Sequence, residues 1–145
     1  MGESGRHEEA RRWILQAGFD LKAAEWNLKG GFFNTVCFLA QQSAEKALKS
    51  LLYHSGASRT RLMTHSTVQL LAEAAPVIPA LEKLMDDARE LDLHYIPSRY
   101  PNGLPGGFPH VFYGEKAARA ALECAERILR AILQHYESQA FEVRF

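Results

Sequence analysis

The sequence predicts an all-α protein: an up-and-down four-helix bundle with an additional short helix. Three observations predict it. Apolar residues recur every three or four positions over several long stretches, the period of one helix face. No segment of useful length alternates apolar and polar residues as a half-buried strand does. Glycine and proline cluster between the periodic stretches, where they stop helices.

The first helix is expected from about Glu8 to Lys29. Ala10, Ile14, Ala17, Leu21, Ala24 and Leu28 give it one apolar stripe, flanked by Trp13 and Trp26. Gly30 and Gly31 end it, because glycine accepts the left-handed cap at no steric cost. The second helix follows at once, from about Phe32 to His54, with Val36, Ala40, Ala44, Ala47, Leu48 and Leu51 inside. So short a break between long helices implies an antiparallel hairpin. After the polar connector ASRTRLMT, Thr64 is the expected N-cap of a short third helix that begins near His65 and stops at Pro76. Pro79 suits the first turn of a fourth helix, whose buried face is Leu81, Leu84, Ala88, Leu91 and Tyr95. The segment IPSRYPNGLPGGFPHVFYG carries four prolines and four glycines and cannot continue as helix. A last helix runs from about Glu115 to Tyr136, with Ala118, Ala121, Leu122, Ala125, Leu129 and Ile132 inside; the tail SQAFEVRF is expected to fray.

At 145 residues there is room for one domain, spanning 1–145 with its helical core at about 8–136. The apolar fraction of 47% and charged fraction of 23% are those of a folded globular protein. Seventeen basic residues balance seventeen acidic ones, so any grip on phosphate must come from a local cluster rather than a whole-molecule field. Cys37 and Cys124 sit in apolar helical text, which points to buried thiols in a reducing compartment. The polar N-terminus lacks the apolar core of a secretory signal, and no apolar run approaches the roughly 18 residues that span a bilayer. The expectation is a cytoplasmic protein without a membrane segment.

Two strings, QQSAEKALK and HYIPSRYP, stand in order between the periodic stretches. With the TH before a short LL-containing helix and the Ala-rich closing helix, they resemble the HEPN domain family over roughly Glu8 to Tyr136. The resemblance implies a HEPN-like bundle, a homodimer, and one of several roles. Members bind nucleotides; many prokaryotic ones pair with a minimal nucleotidyltransferase, often as a toxin–antitoxin couple; others are metal-independent endoribonucleases marked by an Arg, four to six residues, then a His. Arg59 precedes His65 by five intervening residues, and Arg89 precedes His94 by four, although Glu90 directly after Arg89 would oppose a phosphate.

Three groups of residues are candidates. Arg59, Arg61 and His65 lie just before the third helix, whose free amides and positive dipole end attract phosphate. His65 would act as acid or base and Arg59 would steady the phosphate; the alternative is a solvated connector. Gln42, Lys46 and Lys49 lie on the second helix with Glu45, which can pair with Lys49 at i,i+4. They would meet phosphate and base, or form an ordinary solvated ion pair. Arg99 can fork onto a phosphate and Tyr100 can stack on a base; alternatively Arg99 bonds Glu45 or Asp92 and Tyr100 plugs the bundle end.

The GLPGG glycines follow no strand and precede no Lys-Ser/Thr, so they are not a P-loop. His7, His54, His110 and His135 show no metal-ligand spacing, and neither metal nor cofactor is expected. The reading is a nucleotide- or RNA-binding module working with a minimal nucleotidyltransferase, rather than a stand-alone enzyme. A metal-independent endoribonuclease toxin is one alternative. A ligand-free interaction domain using exposed Phe108, Phe112 and Tyr113 is the other.

Overall fold

The computed structural model describes residues 2–145. Six helices follow one another: α1 (Glu3–Gly30), α2 (Phe33–Ser55), α3 (Thr67–Ala74), α4 (Met85–Leu93), the single turn α5 (Pro109–Phe112) and α6 (Glu115–Ser138). There is no strand among the described residues. α2 is the central element: it packs on α1, α6, α3 and α4, and its apolar residues are closed off along most of its length.

Two glycines set the ends of the long helices. Gly31 has φ +79°, and the N–H of Phe32 reaches back to the carbonyl of Asn27 while that of Gly31 reaches Leu28. Gly56, at φ +81°, closes α2 in the same way through Leu52 and Tyr53. This is the paired reverse bonding that a left-handed cap allows. The α1–α2 hairpin is then held by more than alanine packing. Ser43 Oγ donates to the carbonyl of Ala17 at 2.7 Å, and Ser50 Oγ donates to that of Ala10 at 2.6 Å, both in the buried seam.

The structure departs from the sequence expectation at four places. α1 starts at Glu3, several residues before Glu8. The N-cap of α3 is Ser66, whose Oγ accepts from the Gln69 amide; Thr64 lies outside and bonds the Ser66 amide and the Gln69 side chain. The fourth helix is shorter than its apolar pattern, because Pro79–Leu84 winds as a 3-10 segment before α4 begins. The C-terminal tail is packed rather than loose: Phe141 is buried against Tyr136, His54 and His7, with the Arg11 guanidinium 4.5 Å from its ring. One aromatic supplied enough apolar area to dock the segment.

Both cysteines are buried and free. Burial pushes the Cys37 thiol up to about 12, and it pushes Cys124 well above its ordinary range, helped by hydrogen bonding to Glu90. Neither is poised as a thiolate nucleophile.

Candidate functional site

The central polar stripe of α2 does not face solvent. Gln41, Glu45 and Lys49 succeed one another at four-residue spacing on one stripe, and all three are buried. Lys49 Nζ lies 3.3 Å from the Glu45 carboxylate and 5.5 Å from the Trp13 ring. The pair is therefore neither a solvated ion pair nor a cation open to phosphate. Gln41 Nε2 donates to the carbonyl of His65 at 2.9 Å and approaches Glu45 at 3.3 Å. On the adjoining stripe Gln42 donates to Gln41 Oε1 at 2.8 Å. Lys46 bonds Gln42 at 3.2 Å and is held by Asp20 of α1 at 2.6 Å.

This network continues outward as a stack of rings. The exposed His65 imidazole has Nδ1 3.4 Å from Glu45 and lies over Tyr95, centroids 5.1 Å apart and planes 17° apart. The Arg99 guanidinium sits 4.5 Å from the rings of both Tyr95 and Phe38 and 4.9 Å from that of Tyr100. Its Nε donates to the carbonyl of Tyr95 at 2.9 Å. Among the described residues it has no carboxylate partner, neither Glu45 nor Asp92. Tyr100 is half exposed and plugs nothing. Lys46, Lys49 and Arg99 face only Asp20 and Glu45, so the run carries one uncompensated positive charge when His65 is neutral. That charge rests on Arg99.

Not all the sequence candidates join this run. Gln42, Lys46, Lys49, His65, Arg99 and Tyr100 do. Arg59 does not: it lies on a separate hollow with Arg6 and Tyr53. Arg61 is engaged by Glu73 at 3.5 Å. The other Arg–His spacing is also parted. Arg89 bonds Asp86 at 2.6 Å on the surface, while His94 Nδ1 meets the Tyr113 hydroxyl at 3.0 Å. Burial holds His94 below its ordinary value and lifts Tyr113 to about 12. Tyr113 is buried, so the expected exposed trio reduces to Phe108 and Phe112, joined by Val111.

The N-terminus of α3 is likewise taken. Asp92, at the end of α4, accepts from the Thr67 amide at 2.7 Å, the Val68 amide at 3.1 Å, Ser66 Oγ at 2.7 Å and Thr67 Oγ1 at 2.6 Å. The dipole end offered to a phosphate by the sequence is filled by the protein's own carboxylate.

Sequence reasoning missed Asp20 and Phe38, and it gave Tyr95 and Asp92 other roles, Tyr95 as a core residue and Asp92 as a partner for Arg99. Only Tyr95 carried a local signal, standing four residues before Arg99. The other three act through long-range contacts.

The family model of the HEPN domain matches residues 10–136. The chain belongs to the HEPN domain family. Its fold agrees with solved structures. TT1696 from Thermus thermophilus is 36% identical with a TM-score of 0.81, the match covering 88% of this chain and 98% of that one. ST0689, an archaeal HEPN homologue, is 37% identical with a TM-score of 0.72, covering 87% and 96%. A HEPN domain protein from Thermotoga maritima is 32% identical with a TM-score of 0.66, covering 85% and 95%. No curated protein matches the chain. In this HEPN domain the two specific strings, Gln41–Lys49 and His94–Pro101, are bridged by His65, which approaches Glu45 of the buried network and stacks on Tyr95 of the ring stack above it. Among the described residues, no helix is long and apolar enough to cross a membrane.

Proposed function

We propose that this HEPN domain binds a nucleotide or RNA on the stack of His65, Tyr95, Arg99 and Tyr100, working as a cytoplasmic homodimer beside a minimal nucleotidyltransferase. One observation carries the reading: a guanidinium without a carboxylate, held among three aromatic rings, next to the exposed faces of His65 and Tyr100. Stacked rings take bases of any sequence, and an arginine adds a fork for phosphate. Gln42, Lys46 and Lys49 then serve as the frame that orients His65, rather than as direct ligands to the phosphate. The homodimer draws support from the exposed Phe108, Val111 and Phe112, with exposed Phe32 beside them, its ring 5.9 Å from that of His110. The same surface favours a protein-interaction role. The nucleotidyltransferase partner rests on the family.

The endoribonuclease reading finds less support. Its sequence mark is an Arg spaced four to six residues before a His, and both pairs with that spacing, Arg59–His65 and Arg89–His94, have separate surroundings.

The test is a melting curve with millimolar nucleotides. A ligand at about 100 times its Kd stabilises by about 2.7 kcal/mol, and Arg99→Gln with Tyr100→Ala should abolish the shift. An unmoved melting temperature with every nucleotide and a short RNA would refute it. RNA cleavage that persists in EDTA and vanishes in His65→Ala would restore the ribonuclease reading.

A further inference from the structure

Arg6, in the second turn of α1, and Arg59, opening the 3-10 turn after α2, line one hollow of about 370 Å³ together with Glu9, Tyr53 and Gly56. Neither guanidinium has a carboxylate partner among the described residues. Glu9, the one acid on the hollow, is engaged by Arg12 at 2.6 Å. Two arginines therefore line a hollow whose one carboxylate is already taken by a third, Arg12, in a molecule of zero net charge.

Arg6 is held in an unusual way. Its Nε is buried and has no acceptor. The guanidinium lies against Gly56, where an added Cβ would stand 3.3 Å from Nε. A charged donor removed from water without an acceptor is unfavourable, and a second cation on the same hollow adds repulsion. The end of α2 offsets part of this through its negative dipole end. Its Leu52 and Tyr53 carbonyls, however, already accept from Ala57 and Gly56. Two forked donors stand over a shared hollow with an aromatic wall, Tyr53 being stacked on Trp13 at 5.9 Å. That is the donor set for a tetrahedral oxyanion, which takes bidentate bonds from guanidinium groups.

We propose that this hollow is a phosphate-binding site, taking a phosphomonoester or phosphodiester group between Arg6 and Arg59. None of its lining residues belongs to the ring stack at Arg99, so the site stands whether or not nucleotide binds there. Arg6 also lies outside the residues that the family model matches.

The test follows the arginine Nε–H resonances of the whole chain during titration with inorganic phosphate and, separately, with a short single-stranded RNA. Phosphate should shift the Arg6 and Arg59 signals, and Arg6→Gln or Arg59→Gln should weaken its binding about tenfold, the loss of one charge-assisted contact. Arg99→Gln should leave it unchanged, which separates this site from the stack. RNA that competes with phosphate assigns the site to a nucleic-acid backbone; RNA that does not assigns it to free or terminal phosphoryl groups. A second measurement guards against a merely structural role. Without phosphate, Arg59→Gln should melt no lower than the parent, because like-charge repulsion is relieved; phosphate should raise the melting temperature of the parent but not of the Arg6→Gln/Arg59→Gln double variant. If the arginine signals stay still, or if parent and double variant respond equally, the proposal is overturned.

Discussion

Replacing Asp92 by alanine tests how the short helices are tied to the bundle. Its carboxylate accepts four hydrogen bonds, two from the first amides of α3 and two from the hydroxyls of Ser66 and Thr67. Thr67 is fully buried, and its hydroxyl keeps one other acceptor, the Ala88 carbonyl at 2.8 Å. The change therefore strands two amide donors and removes a charge from the positive end of a helix. Losing a capping side chain costs about 1 kcal/mol, and each buried donor left unpaired costs about 1–3 kcal/mol. Some amides will find water, so the sum is about 3 kcal/mol. Unfolding entropy near 2.1 cal/mol/K per residue over this chain length makes that a drop of roughly 10 °C in melting temperature. Circular dichroism melts and urea titrations of parent and variant measure it. Asp92→Asn, which retains one acceptor oxygen without the charge, should fall between them. A loss below about 1 kcal/mol for Asp92→Ala would refute the reasoning, because a cap of four bonds cannot then be what joins α3 to α4.

Arg99→Gln should weaken nucleotide binding by roughly tenfold or more, read by calorimetry, while changing the melting temperature by only a few degrees. Phe141→Ala should cost about 3 kcal/mol of stability in urea titration, since the ring is buried in the cluster with Tyr136, His54 and His7. Burial first, and the neighbouring His7, His135 and Arg6 next, hold His54 below its ordinary value, with Glu3 opposing them. As pH falls below about 6.5 the unfolded chain takes up that proton before the folded one, so stability drops on acidification and levels once the folded histidine also titrates. His54→Gln should reduce the stability lost between pH values of about 7.5 and 5.5, and His94, shifted the same way, accounts for some of the slope that remains.

The helices were legible because their signals are local. Stripes such as Ala10–Ile14–Ala17–Leu21 and stops such as Gly31 and Gly56 need no knowledge of the rest of the chain. Boundaries were less so. Thr64 and Ser66 are both good caps, and the choice between them fell to Asp92, which is distant in sequence. The 3-10 start of the fourth helix was hidden because Leu81 and Leu84 keep a spacing that either helix type satisfies. The site was half legible. Residue types on α2 were visible, but their exposure was not: a Glu–Lys pair at i,i+4 reads the same whether solvated or, like Glu45 and Lys49, enclosed by Trp13. The Arg99 stack was out of reach, since Phe38 meets it only after the chain has doubled back.

The serine bonds across the α1–α2 seam act as a vernier. Ser43 and Ser50 are seven residues apart, as are their acceptors Ala17 and Ala10, so the two rungs lie about 10 Å apart on antiparallel rods. Sliding one rod by that interval would re-form a single rung and break the other. Any smaller slip would break both, leaving Ser43 without its acceptor and Ser50 with only the Tyr136 hydroxyl, 2.7 Å away. Alignment of the rods is thus written into their length rather than into the turn that joins them, and residues inserted between Gly30 and Gly31 should be absorbed as slack without moving the platform on which His65 and Arg99 meet.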